Sequence, residues 1–93
     1  MMADAEAAFP NVMATFRREL PDQLGGEWTV DALPHSDPEA GAIHLSRTWH
    51  DRYFGTTVVV FPATYGADTN PAWVRHVVTS TIAALAYSMA RAN

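Results

Sequence analysis

At Gly25-Gly26 the spacing of the large apolar residues changes period, and that change limits what the chain can fold into. Before it, Phe9, Val12, Met13, Phe16 and Leu20 fall at intervals that make one stripe on a helix. After it, apolar and polar residues alternate, as on a strand with one buried face. Pro10 suits the first helical turn, where a missing N–H costs nothing. Pro21 predicts either the end of the helix or a separate turn through Leu24. Ala3 to Ala8 fit either a helical extension or a lead-in.

Three strands follow. In Glu27 to Leu33, Trp28, Val30 and Ala32 share one face and Thr29 and Asp31 the other. Pro34 to Gly41 is polar with two prolines, so it predicts a surface loop joining a loose hairpin. From Ala42 to His50 the apolar face is Ile43, Leu45 and Trp49, and the polar face His44, Ser46, Thr48 and His50. Arg47 alone is out of place. The turn near Asp51-Arg52 lacks glycine and is a poor tight-turn sequence. Tyr53 to Phe61 is β-branched and aromatic, with Val58 to Phe61 apolar on both faces. Such a strand belongs in the middle of a sheet, or has its outer face against another element or chain. Pro62 to Thr69 predicts a loop, and Asn70-Pro71 a capped start for a helix running to about Ala92, with Trp73 docked on the sheet. The expected fold is one α+β domain over residues 1–93: helix, three-stranded antiparallel meander, long C-terminal helix, with both helices on one sheet face.

Several functions are disfavoured by composition. Ten acids against six arginines and no lysine give a net charge of −4, the wrong sign for a phosphate-backbone partner, so no nucleic acid is expected. No uncharged stretch, Val77 to Ala90 included, reaches the roughly 20 residues that span a bilayer, so no membrane partner is expected either. Asp4 and Glu6 near the start are unlike a secretory signal, so no targeting segment is expected and a soluble protein of the cytoplasm is the default. Without cysteine there is no disulfide, thiolate metal site or thiol nucleophile. A chain of this length removes only about 60 to 65% of its unfolded surface from water, so a partner would add stability.

The histidines, with Asp31, Asp37, Asp51 and Asp68, are the candidates for a metal or a general base. At about 3.3 Å per residue His44 and His50 lie roughly 20 Å apart on one strand, too far for one ion. His50-Asp51 could orient an imidazole, but no serine sits in a nucleophile elbow and no metal-ligand spacing occurs. No catalytic residue, cofactor or metal is therefore assigned. The all-arginine, lysine-free choice suits planar hydrogen bonding at protein interfaces, and equally fits a GC-rich genome.

The last helix carries the least ordinary pattern. Trp73, Val74, Val77, Val78, Ile82, Leu85 and Met89 cover one half. Thr79, Ser80, Ala83, Ala86, Tyr87 and Ala90 cover the other, with Arg75 and His76 confined to the first turns and no acid along the helix. Solvated helices usually intersperse charges. An exposed alanine-rich helix chosen for propensity is one reading. Close packing of Thr79, Ala83, Ala86, Tyr87 and Ala90 on another protein surface explains the missing charge better, and His44 and Thr48 of the polar sheet face are assigned to the same interface.

The element order, with the segments RRELPDQL (17–24) and DALPHSDPEAGAIHL (31–45), resembles phage tail-terminator-like and related neck proteins. The resemblance implies a virion component that forms rings through sheets and helices packed between subunits, and it carries over no functional residue. The leading expectation is a non-catalytic assembly protein whose partner is itself or another protein. The alternatives are a monomeric adaptor, immunity or inhibitor protein, and a small ligand-binding domain or enzyme.

Overall fold

The computed structural model describes residues 5–37, 40–49, 51–61 and 67–91. Helix α1 is a single turn, Ala5–Ala8, and α2 spans Pro10–Leu24 with Pro10 in its first turn. The apolar stripe is buried as its spacing requires: Val12, Met13, Phe16 and Leu20 are inaccessible to solvent. Pro21 does not end α2. It sits in the last turn, where its lost N–H leaves only one carbonyl unpaired, and the amide of Gly25 closes that turn on the Pro21 carbonyl at 3.0 Å.

Strands β1 (Trp28–Leu33), β2 (Gly41–Trp49) and β3 (Arg52–Val60) form an antiparallel sheet in that order. Trp28 pairs with Arg47 and Leu33 with Ala42; Gly41 pairs with Val60 and Trp49 with Arg52. The central strand is thus β2, and β3 is an edge, so of the two placements its composition allows the middle of the sheet is excluded. Its apolar surplus lies on the outer face, where Tyr53, Val59 and the following Phe61 are exposed. Only residues 50–51 separate β2 from β3, and Asp51, at φ 63°, takes the left-handed conformation that a glycine would otherwise supply. His50 and the segment 62–66 lie outside the described residues.

A short 3₁₀ turn, Ala67–Thr69, leads into α3, Pro71–Arg91. The Asn70 side-chain oxygen accepts from the amides of Ala72 and Trp73 at 3.0 and 3.4 Å, the cap that Asn-Pro predicts. Val74, Val78, Ile82 and Leu85 of α3 join the α2 stripe and Val30, Ile43, Leu45 and Val60 of the sheet in one core. Trp73 is only half-buried. Its ring packs against the core and stacks on Phe9 just before α2, with centroids 6.2 Å apart.

Both ends of α2 are finished by side chains from elsewhere. Phe9 offers no side-chain cap, and the buried carboxylate of Asp68 accepts from the amides of Asn11 and Val12, both at 3.0 Å. The Asn11 side chain donates back to the Asp68 carbonyl at 3.0 Å. At the other end Arg47 Nη1 donates to the carbonyls of Leu24 and Gly25, each at 3.0 Å, and its guanidinium lies 5.3 Å from the Trp28 ring. The one charged residue on the apolar face of β2 is therefore a helix C-cap. Gly26 lets it in: at φ 82° a side chain is disfavoured, and a Cβ there would lie 2.8 Å from Arg47 Cδ.

Candidate functional site

Helix α3 turns its alternative half to solvent. Thr79, Ser80, Ala83, Ala86, Tyr87 and Ala90 are all exposed, Tyr87 at 64%. Arg91 folds back over this face: its Nη1 donates to the Tyr87 hydroxyl at 2.9 Å and its guanidinium stands 5.6 Å from the ring. Between Arg75 and Arg91 the helix has no Asp, Glu, Lys or Arg. The exposed side of α2, in the same protein, carries Arg17, Arg18, Glu19 and Asp22.

The second surface is the outer face of the sheet. His44 stands opposite Asp31 on β1 and Thr57 on β3. One of its ring nitrogens, Nδ1, lies 3.1 Å from Thr57 Oγ1, and the other, Nε2, lies 2.8 Å from the Tyr53 hydroxyl. Tyr53 reaches it by lying across Gly55, where any Cβ would overlap the phenol ring. Thr48 is exposed opposite Tyr53 in the register. Both imidazole nitrogens are thus bound by hydroxyls, and no hydrogen bond joins Asp31 to His44. That geometry differs from a charge-relay arrangement, in which the acid holds one ring nitrogen and the nucleophile the other.

A third feature is a groove of about 490 Å³ between α2 and α3, lined by Asn11, Thr15, Arg18 and Gln23 on one side and Val74, Arg75, Val78 and Thr79 on the other. Its carboxylates are committed. Asp68 caps α2, and Glu19 accepts from Gln23 at 3.1 Å and Arg18 at 3.3 Å, hydrogen bonds that hold its carboxyl below the ordinary glutamate range. Among the described residues no three His, Asp or Glu side chains converge as a metal site would require. His35 accepts from the Asp37 amide at 3.0 Å, His76 is exposed on α3, and His50 lies outside the described residues.

Compared with family models, curated proteins and solved structures, the chain matches none. No described helix is long and apolar enough to cross a membrane. The interface expected from the sequence joins His44 and Thr48 to Thr79, Ala83, Ala86, Tyr87 and Ala90. In the fold they form two separate patches, one on the sheet and one on α3. Tyr53 is the residue that sequence reading passes over. Its signal is an aromatic two positions before a strand glycine, since the bare glycine backbone leaves room for the ring to lie flat.

Proposed function

We propose that this chain is a non-catalytic assembly protein that self-associates, as a subunit of a virion neck or tail does. One observation carries this reading: the exposed half of α3 is uncharged over Val77 to Ala90, while the exposed half of α2 is charged. Composition alone does not explain the difference, because both helices are drawn from the same chain. Small side chains allow another backbone to approach closely, and Tyr87 supplies an aromatic anchor with a polar tip. The α-β-β-β-α order, which resembles tail-terminator-like proteins, supports the same reading.

The test is Ala86→Glu. Glutamate is nearly as good a helix former as alanine, so on a solvated face the change moves stability by no more than about 0.5 kcal/mol. In a packed interface it buries an unpaired carboxylate and costs several kcal/mol of association. The expected result is an unchanged circular dichroism spectrum with a lower mass by light scattering. An oligomer of unchanged mass would remove α3 from the interface.

A further inference from the structure

The two edges of the sheet differ: a side chain from α2 meets β1 at one carbonyl, and β3 is open. On β1, Arg17 reaches from α2, held by Glu6, and its Nη2 donates to the Val30 carbonyl at 2.9 Å. That carbonyl therefore points away from β2, and the β1 residues bonded to β2 are Thr29, Asp31 and Leu33. Carried through the register, this makes Gly41, Ile43, Leu45 and Arg47 the β2 residues that bond Val60, Val58, Thr56 and Phe54. The two-residue connection gives the same parity, because its closing pair, Trp49 and Arg52, is hydrogen-bonded in such hairpins. The N–H and C=O groups of Tyr53, Gly55, Thr57 and Val59 consequently point out of the free edge of β3, and no described residue meets them.

Natural sheets blunt such an edge with lysine, proline, a bulge or shortness. None applies here. Strand β3 is nine residues long, has no lysine or proline, and runs in unbroken register, with Arg52 as its only charge. Its sequence is also complementary to itself. In an antiparallel pair centred on Thr56, Tyr53 meets Val59 and Gly55 meets Thr57, and these are the residues whose backbone groups face outward. Phe54 meets Val58 and Arg52 meets Val60, so aromatic and β-branched residues stand opposite each other and no like charges do. Tyr53 and Val59, 68% and 45% exposed, gain neighbours.

We infer that β3 pairs antiparallel with β3 of a second copy, giving a six-stranded sheet, three strands from each copy, with the helices of both on one face. This names the partner and one contact for the self-association proposed above, and takes from it only that the partner is another copy. The absence of cysteine makes the register directly readable. In this register Thr56 faces its own symmetry mate as a non-hydrogen-bonded pair, with Cα atoms about 4.5 Å apart, which suits a disulfide. Full-length Thr56→Cys should form a disulfide dimer under mild oxidation. Val59→Lys, a change at an exposed position, should keep the circular dichroism spectrum, lower the mass in solution and abolish cross-linking in the double variant. A wild-type oligomer in which Thr56→Cys fails to link and Val59→Lys leaves the mass unchanged would overturn the edge pairing and leave assembly through α3 standing. Efficient linkage with a mass indifferent to Ala86→Glu would support the edge and remove the α3 contact. A wild type monomeric at its highest soluble concentration, with no linkage, would overturn both.

Discussion

Removing the Asp68 carboxylate should be among the most damaging polar substitutions in this chain, although it lies 57 residues from the helix it caps. In Asp68→Ala the amides of Asn11 and Val12 lose their acceptor, and the Val12 bond lies in a buried setting. Loss of an N-cap costs about 0.5–2 kcal/mol, and each buried donor left unsatisfied about 1–3 kcal/mol. These costs overlap, because they count the same amides. Water reaches Asn11 more readily than Val12, so a loss of about 2–3 kcal/mol is expected. For a domain of this size that lowers Tm by about 10–20 °C. Asp68→Asn keeps one acceptor oxygen and should lose about half as much. Urea unfolding with an unchanged m-value reads the difference. A loss below about 0.5 kcal/mol in Asp68→Ala would refute the distant cap and mean that α2 starts as well without it.

Arg47→Met keeps the aliphatic stem but removes the donor from Leu24 and Gly25, and should cost about 1–2 kcal/mol in the same assay. Trp73→Ala should cost about 1.5–3 kcal/mol, below the value for full burial, because the ring is half-exposed and stacked on Phe9. The Arg17 guanidinium, chiefly through its hydrogen bonds, holds the Glu6 carboxyl below the usual range. Since the folded value is depressed, whatever stability this pair adds is present above the unfolded pKa and lost as pH falls through the folded one. An NMR titration of Glu6 should accordingly show a midpoint below that of a free glutamate, moving back up in Arg17→Met.

Periodicity carried the architecture. The stripe from Phe9 to Leu20, the alternation around Ile43 and Leu45, and Asn70-Pro71 each specify a local geometry that the fold keeps, because each depends on neighbours within a few positions. Pro21 misleads because a missing amide matters less in a last turn than in a helix interior. The apolar run Val58 to Phe61 speaks of two surfaces needing cover but cannot say which is supplied by the same chain, and β3 proves to be an edge. The roles of Asp68 and Arg47 were not legible at all. Their partners are backbone groups at the ends of α2, and any sequence offers the same amides and carbonyls at every helix end. The link from His44 to Tyr53 depends on the β2–β3 register, which a turn without glycine did not announce.

Sedimentation velocity of the wild-type chain over a wide concentration range tests self-association. The sedimentation coefficient should rise with concentration toward a defined oligomer, and an Ala86→Glu variant should be displaced toward the single chain over the same range. A wild type that sediments as a single chain at every concentration would contradict it.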